Sequence, residues 1–377
     1  MLNFVTLHYN GEKGWYKLNL MYTGFPGFIT SQLIREQLKK QQQDEIYVLV
    51  LSTEIEKAQA EKEAIIQEYP TVSIRIIEGD ITLPSLGLEE DMVKKLQQKI
   101  HVFWHLAAIY NLAVPKEIAW KVNVHGTNHV NEFVKEINQL ERYMYFSTAY
   151  VAGTRTGNLL ETELIRPESF KNYYEETKFE AELLVEDLKQ ELPITIIRPG
   201  IVRGNSTTGA TIKFDGPYFL FNMIDRLKKL PFIPYIGRTS ATLNTVPVDY
   251  IFEAVTYLST LPEAVGKTVH LTDPNPHPIQ EILRAVTLQI TGKTPKGHLP
   301  LGVTRVFMKN KTLQRKLGVE YESLDYFTWD ASFDTSVISE LLKDSSIQCA
   351  DFIDTLPAMA GYYEEHKNRK EYHIQIN

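Results

Sequence analysis

The 377-residue sequence has little of what marks several classes of protein. It has one cysteine, Cys349, so an internal disulfide is impossible, a cysteine-based metal site is not expected, and a reducing compartment fits. The 40 lysines and arginines are outnumbered by 47 acidic residues, and the net charge of −7 argues against a broad nucleic-acid-binding surface. No apolar run reaches the roughly 18 to 20 residues of a membrane span. The first residues lack the pattern of a secretory signal. We therefore expect a cytoplasmic protein with no metal, no membrane span and no nucleic-acid partner.

Short apolar runs alternate with helical segments over the first 200 residues. The runs "LNLMY", "EIYVLVLS", "VSIRIIEGD", "HVFWHLAA", "YMYFSTAYV" and "ITIIRP" are typical of buried strands, and a helical pattern follows each of the first five. Such alternation predicts βαβ units and a parallel sheet with helices on both faces. The right-handed crossover rule then favours an α/β fold with a doubly wound parallel (Rossmann) sheet.

After Pro199 the alternation becomes irregular, which predicts a smaller, mixed C-terminal substrate lobe. We predict an N-terminal extension at 1–17 without a catalytic role. A dinucleotide-binding Rossmann domain is expected at 18–205 and the lobe at 206–377, with about 244–272 returning to the sheet.

The segment Thr23-Gly24-Phe25-Pro26-Gly27 joins the first strand to the first helix. In a dinucleotide-binding loop the first glycine permits the tight turn and the second lets the backbone approach a pyrophosphate, which lies at the helix N-terminus. A third glycine usually serves helix–strand packing, and this chain has Thr30 there. We therefore expect either a helix slightly displaced from the strand or a small residue facing Thr30. Taken alone, the glycine pair also fits an ordinary strand-to-helix turn.

The end of the second predicted strand bears on the choice between NAD and NADP. It reads Val50-Leu51-Ser52-Thr53, with no acidic residue before Glu54 and no arginine. An acidic residue there would bind the ribose 2′-hydroxyl of NAD and repel a 2′-phosphate. Its absence favours NADP(H) weakly over NAD(H), with Ser52 as a hydrogen-bonding candidate.

Tyr174 and Lys178 are four residues apart in a predicted helix and therefore share one face. A nearby ammonium favours tyrosinate, and such a tyrosine can exchange a proton with a carbonyl or alcohol. The same spacing occurs elsewhere in the chain, so the spacing alone means little. Only this pair follows the fifth strand, whose end carries Thr148 at the edge where ligands bind in open α/β folds.

Several segments in the same order resemble the extended short-chain dehydrogenases/reductases. They are "TGFPGFI", "EGDIT", "HLAAIYNLAVP", "NVHGT", "FSTAYVAG", "YEETK" and "IIRPGIVRG", from about Leu18 to Asn205. The segments "NYYEETKFEAE", "KFDGPYFL" and "TVPVDYI" resemble the male sterility-like branch, which contains fatty acyl-CoA reductases and thioester-reductase domains.

The resemblance implies roles for the matching residues. Tyr174 would be the acid/base, Lys178 would bind the nicotinamide ribose and lower the pKa of the tyrosine, and Thr148 would polarise the substrate carbonyl. Asn123 would hold a water in the proton relay. Together with the glycine loop and the second strand, the expected cofactor-binding set is Thr23, Gly24, Pro26, Gly27, Phe28, Ile29, Ser52, Asp80, Ile81, Ala107, Ala108, Lys178, Pro199, Gly200 and Val202. No metal is implied.

The implied activity is NAD(P)-dependent reduction of a small molecule, either an acyl thioester or an aldehyde. The aromatic stretch from Phe214 to Phe232 would suit an apolar acyl chain, and it equally fits an ordinary lobe core. One alternative is a dehydrogenase or epimerase of an apolar or sugar alcohol. The segment from Leu243 to Asp249 lacks the arginine that would hold a sugar-nucleotide diphosphate. A second alternative is a non-catalytic cofactor-sensing protein. The presence of both Tyr174 and Lys178 argues against it. A homodimer is compatible with the sequence.

Overall fold

The computed structural model describes residues 8–10, 14–16, 18–40, 43–110 and 114–374. Its strands are β1 (His8–Asn10), β2 (Gly14–Tyr16), β3 (Leu18–Thr23), β4 (Gln43–Val50), β5 (Ile74–Glu78), β6 (Val102–His105), β7 (Arg142–Phe146), β8 (Gly157–Leu159), β9 (Ile194–Pro199), β10 (Ile201–Arg203), β11 (Tyr235–Ile236), β12 (Thr245–Pro247), β13 (Thr268–Leu271), β14 (His298–Leu299) and β15 (Ala331–Phe333).

The α-helices alternate with these strands and continue to the C-terminal region. They are α1 (Phe28–Lys40), α2 (Ile55–Glu68), α3 (Glu90–Lys99), α4 (Lys116–Ala119), α5 (Gly126–Lys135), α6 (Tyr173–Glu186), α7 (Tyr218–Leu227), α8 (Val248–Thr260), α9 (Ile279–Thr291), α10 (Leu301–Met308), α11 (Lys311–Leu317), α12 (Ser336–Leu342) and α13 (Phe352–His366). None of the helices in the described ranges is long and apolar enough to cross a membrane.

Seven strands form one parallel sheet in the order β13-β9-β7-β6-β3-β4-β5. The predicted doubly wound sheet is confirmed. Along β3, alternate side chains enter different clusters: Leu20 and Tyr22 pack with α1 and α8, whereas Met21 packs on the other side with Phe103 and Phe133. Both faces of the strand are therefore covered by helices, which explains its nearly continuous apolar sequence.

The sheet order fixes where a ligand can bind. From β3 the chain proceeds outward through β4 and β5 and then returns to the other side of β3 with β6. The carboxyl ends of β3 and β6 therefore border a topological switch point, the usual place for a ligand in an open α/β sheet. Thr23 and His105 end these two strands and pair across them.

The chain beyond Pro199 returns to the sheet through β13, which pairs with β9. This strand lies within the predicted returning segment 244–272. A separate apolar cluster joins α7, α9 and α13. The domain boundaries themselves stay a prediction. Of the predicted extension, residues 8–10 and 14–16 pair antiparallel, and residues 1–7, 11–13 and 17 lie outside the described residues.

One helical detail differs from the sequence expectation. The pattern predicts an interruption at Gly126 within a helix from Pro115 to Ile137. Instead, a π-helical turn at Trp120–His125 separates α4 from α5, and Gly126 has ordinary helical angles. Such wider turns are frequently found at functional sites, and this one contains Asn123.

Candidate active site

One cavity of about 1420 Å³ extends from the glycine loop to the C-terminal lobe. Typical ligand sites measure roughly 300–1,000 Å³, so this one has room for a cofactor and a second molecule. It is lined by every residue of the expected cofactor set except Ser52, and by Thr148, Tyr174 and Lys178. The lining continues through apolar residues of the lobe, among them Phe219, Leu220, Met223, Leu227, Leu299, Phe307, Met308, Leu317 and Phe327.

The glycine loop brings the chain close to the segment after β6. Gly24 has a φ of +89°, and a Cβ atom there would lie 3.0 Å from the Ala107 nitrogen and 3.2 Å from Thr30 Oγ1. Only glycine suits this position. The small residue that faces Thr30 is therefore Gly24 itself, and the threonine points toward the loop's first glycine.

The start of α1 offers donors for an anion. The Gly27 amide is used within the turn, donating to the Gly24 carbonyl at 2.8 Å, and the Ser31 amide donates to the Gly27 carbonyl at 2.9 Å. Among the described residues, no acceptor is recorded for the amides of Phe28 and Ile29, both of which line the cavity. Free amides and the helix dipole together suit a phosphate. These residues fit the pyrophosphate of a dinucleotide.

A buried hydrogen-bond chain fixes the loop against β6. Thr23 Oγ1 accepts hydrogen bonds from the Leu106 and Ala107 amides, each at 3.1 Å, and lies 2.8 Å from His105 Nδ1. With both lone pairs used, the hydroxyl donates its proton to Nδ1, so His105 carries hydrogen on Nε2 and donates to Thr127 Oγ1 at 3.1 Å. Burial, with a smaller contribution from Lys178, lowers the pKa of His105 to about 3, so this imidazole is neutral.

The expected adenosine end of the cavity contains a residue that the sequence reading missed. Asp80 and Ile81 line it, and Asp80 Oδ1 accepts from the Thr82 amide at 2.8 Å. Ser52 is exposed and is not part of the lining, whereas Glu54, two residues on, is. The short 3-10 turn Ser52–Glu54 explains this difference, because it rotates the chain away from the strand direction. The Ser52 assignment stays a prediction.

Tyr174 lies at the start of α6, with its ring packed edge-on against Tyr110 at 5.2 Å between centroids. Burial raises the pKa of Tyr174 to about 12, and a hydrogen bond with Thr148 acts in the opposite direction. Thr148 Oγ1 accepts from the Tyr150 amide at 3.3 Å, which holds the hydroxyl at the end of β7. The structure therefore brings the two predicted hydroxyls together.

Lys178 is almost fully buried one turn further along α6. Its ammonium donates to the Phe146 carbonyl at 2.7 Å and to Tyr145 Oη at 3.2 Å. Burial lowers the pKa of Lys178 to about 8, and Glu182 opposes this shift. The expectation that Lys178 holds down the pKa of Tyr174 does not match this geometry, because the tyrosine's pKa is raised and the ammonium is bound to β7.

Asn123 lies outside the cavity lining, and its side chain connects two elements of the site. Its Oδ1 accepts from the Ile109 amide at 2.8 Å, and its Nδ2 donates to the Ile109 carbonyl at 3.3 Å and to Thr177 Oγ1 at 3.0 Å. The amide therefore attaches the loop after β6 to α6. Its role in holding a water stays a prediction.

A buried ion pair supports the three elements that carry the site. Glu182 on α6 accepts from Arg198 Nε at 2.8 Å and from Ser147 Oγ. Ser147 precedes Thr148, and Arg198 precedes Pro199, whose carbonyl lies 3.5 Å from Thr148 Oγ1. Glu182 and Arg198 are buried at 0% and 3% exposure, so neither charge has water as a substitute partner.

Sequence reasoning missed further lining residues. Tyr110 lies two residues after the predicted Ala107–Ala108 pair, and its position in the same loop is a signal that could have identified it. Asp215 lies in the quoted "KFDGPYFL" segment and lines the cavity. Glu320 also lines it, and no local pattern marks that residue.

The parallel sheet, the glycine loop at its switch point and the cavity that contains the Tyr174–Lys178 pair have the arrangement of a dinucleotide-binding α/β fold. Residues 22–255 match the family model described as Male sterility protein, an NAD-binding family. This match covers more than half of the chain, and the protein belongs to that family.

Two curated relatives and one solved structure illustrate the likeness. One component of the linear gramicidin synthase of Brevibacillus parabrevis is 27% identical over 292 residues, covering 74% of this chain and 6% of that protein. Fatty acyl-CoA reductase wat of Drosophila melanogaster is 26% identical over 271 residues, covering 62% of this chain and 52% of that protein. The chain thus spans about half of one relative and a small part of the other. The terminal R domain from the myxalamid PKS-NRPS biosynthetic pathway has the same fold, with a TM-score of 0.78 at 24% identity over 94% of this chain and 92% of that one.

Proposed function

We propose that the protein reduces an acyl thioester, or the aldehyde derived from it, with a nicotinamide cofactor and with Tyr174 as the proton donor. The observation that carries this proposal is the single cavity that joins the glycine loop, the Thr148–Tyr174–Lys178 group and an apolar lobe. The fatty acyl-CoA reductase and synthetase relatives agree with an acyl substrate.

The cofactor would be held along the carboxyl edge of the sheet. Gly24 and the Phe28 and Ile29 amides would receive the pyrophosphate, with Asp80 and Ile81 at the adenosine end. Lys178 and Val202 would lie beside the nicotinamide riboside. When bound, a reduced nicotinamide is a hydride donor, and the protein supplies position and electrostatics.

The chain's own residues account for the proton. The Thr148 hydroxyl would donate a hydrogen bond to the substrate carbonyl oxygen, which polarises the carbon that is reduced. Tyr174, with its raised pKa, keeps its proton at neutral pH and can give it to the same oxygen. Starting from a thioester, loss of the thiol from the resulting hemithioacetal would leave the aldehyde.

The apolar part of the cavity supports an acyl chain as substrate. Of the aromatic stretch identified in the sequence, Phe219 lines the cavity, whereas Phe214 and Phe221 are fully buried in the lobe core and Phe232 is 54% exposed. The same stretch also contributes Leu220, Met223 and Leu227 from α7, and residues 299–327 add a further apolar set that includes Met308, Leu317 and Phe327. The acyl-chain proposal therefore rests on both parts of the lobe.

A sugar-nucleotide substrate has less support. Asn244 lies in the segment where a diphosphate-binding arginine would be expected. Its side chain is committed to the backbone of Asp273, accepting from the amide at 2.8 Å and donating to the carbonyl at 2.9 Å. A long apolar alcohol fits the same lining as an acyl chain and remains the second candidate.

The choice between NADP(H) and NAD(H) depends on Glu54. The weak sequence preference for NADP(H) depended on the absence of an acidic residue at the end of the second strand. Glu54 lines the cavity near that end, and its carboxylate would repel a 2′-phosphate. Lys57 Nζ lies 2.8 Å from Glu54 Oε2 and neutralises part of the carboxylate's charge, and Lys57 does not itself line the cavity. We therefore propose that NAD(H) is used at least as well as NADP(H).

The experiment that tests the proposal measures NADH and NADPH oxidation with short-, medium- and long-chain acyl-CoAs and aldehydes. We expect turnover that increases with chain length. If none of these is turned over while a secondary alcohol is oxidised with NAD(P)⁺, the reductase proposal is wrong and the alcohol candidate replaces it. A cytoplasmic location and a homodimer stay predictions alongside it.

A further inference from the structure

Helix α10 is apolar on two opposite faces. Leu301, Thr304 and Met308 pack inward, and Met308 joins a cluster with Val319 and Leu324. Val303, Val306 and Phe307 point outward and are 40%, 69% and 58% exposed. We call these last three residues the α10 face. Exposed apolar side chains grouped on one side of a helix mark an interaction surface, so the α10 face is suited to a partner outside the chain.

The α10 face lies at the mouth of the substrate cavity. Phe307 is both exposed and part of the cavity lining, and its neighbours Thr304 and Met308 line the cavity from the inward face. The segment before β11 pairs with the segment before α10, because β11 and β14 are parallel partners and the Lys296 amide donates to the Ile233 carbonyl at 2.9 Å. Two more exposed apolar side chains, Leu230 and Phe232, are on this paired segment.

The chain segment that contains α10 carries charge of one sign. Residues 293–319 contain seven lysines and arginines and no aspartate or glutamate, in a chain whose net charge is −7. The exposed lysines are Lys293, Lys296, Lys309, Lys311 and Lys316, and among the described residues none of them has a recorded ion pair. Arg305 pairs with Asp325 of the following segment at 2.7 Å, which neutralises that carboxylate, and Glu320 lines the cavity.

We propose that the α10 face and these lysines dock the protein on the surface of an anionic lipid bilayer. Exposed apolar side chains beside lysines are typical of segments that lie in a membrane interface. Protein–protein interfaces are instead depleted in lysine, which argues against an acidic protein as the occupant. An apolar substrate could then pass between the bilayer and the cavity past Phe307. This last step rests on the proposed function, whereas the docking does not.

The test is co-sedimentation of the full chain with vesicles of phosphatidylcholine alone or mixed with phosphatidylglycerol. We expect binding to the anionic vesicles only, weakened by high salt. Val306→Glu should lower the partition coefficient at least tenfold, and Lys309→Gln about fivefold, the contribution of one lysine near an anionic surface. Val303→Ser, which changes no charge, should also weaken binding.

Matched controls are Ile165→Glu, at an apolar side chain that is 50% exposed elsewhere, and Lys135→Gln on α5. Both should bind as the wild type does. The docking proposal is overturned if the wild type stays in the supernatant with anionic vesicles, if Val306→Glu binds equally well, or if the face captures an acidic acyl carrier protein and not vesicles. Because the readout is sedimentation, a protein that binds vesicles and reduces no thioester would refute only the proposed function.

Discussion

Replacing Lys178 by methionine should change how the stability of the protein depends on pH. The lysine is buried at 4% exposure, and its ammonium is bound to the Phe146 carbonyl and to Tyr145. Burial lowers its pKa from 10.5 to about 8. In the unfolded chain the lysine returns to its ordinary pKa near 10.4, because water surrounds it.

Proton linkage gives the direction and the size of this change in stability with pH. Below pH 8 both states hold the proton, and folding then buries a charge at a cost. Between about pH 8 and pH 10.5 the unfolded state binds more protons than the folded state, so the free energy of unfolding rises with pH. The difference between the two pKa values corresponds to about 3 kcal/mol. Methionine has no titrating group, and the variant lacks this gain.

The assay is urea unfolding of the protein without cofactor, at about pH 7 and about pH 10.5. The wild type should gain about 3 kcal/mol relative to Lys178→Met across this range, whereas Lys135→Met, at an exposed lysine, should run parallel to the wild type. Parallel profiles for the wild type and Lys178→Met would refute the buried-ammonium reasoning. The same deprotonation should make kcat/KM of the wild type decline above about pH 8, opposite to its stability.

Three further predictions concern other parts of the site. Gly24→Ala should lower the free energy of unfolding by about 1–2 kcal/mol, because the φ angle of this residue is positive. The variant should also bind a dinucleotide more weakly in a fluorescence titration, because the new Cβ would lie 3.0 Å from the Ala107 nitrogen. Glu54→Gln should raise the NADPH-to-NADH ratio of kcat/KM several-fold, whereas an unchanged ratio would remove Glu54 from the adenosine end. Glu182→Gln should cost about 3–5 kcal/mol in chemical denaturation, because Arg198 is left buried without its carboxylate; a change below 1 kcal/mol would contradict this.

The sheet could be predicted because its signals are local. Each of the first five predicted strands is a short apolar run that a helical pattern follows. The two glycines come directly after β3 and before α1, which is the position that a dinucleotide-binding loop requires. Tyr174 and Lys178 were recognisable for the same reason, since helical spacing and position after a strand suffice. Their electrostatics could not be predicted, because the ammonium binds to the Phe146 carbonyl on another element.

The features that sequence reasoning missed depend on contacts between distant parts of the chain. Glu54 replaces Ser52 in the cavity lining through one short turn whose rotation no propensity specifies. Asn123 was predicted as a site residue, but its hydrogen bonds with Ile109 and Thr177 were not, because these partners are fixed by how the helices pack. Part of the apolar end of the cavity comes from residues more than a hundred positions beyond Tyr174, such as Met308 and Phe327. Only the folded arrangement brings these residues together.

The measurement that tests the central claim most directly is the rate of reduced-cofactor oxidation with an acyl thioester or long-chain aldehyde by Tyr174→Phe. The matched control is Tyr173→Phe, which removes a hydroxyl from the adjacent tyrosine, 44% exposed at the helix start. We predict a loss of about 10²–10⁴ in kcat for Tyr174→Phe, unchanged cofactor affinity, and wild-type activity for Tyr173→Phe. Wild-type turnover by Tyr174→Phe would contradict the assignment of Tyr174 as the proton donor.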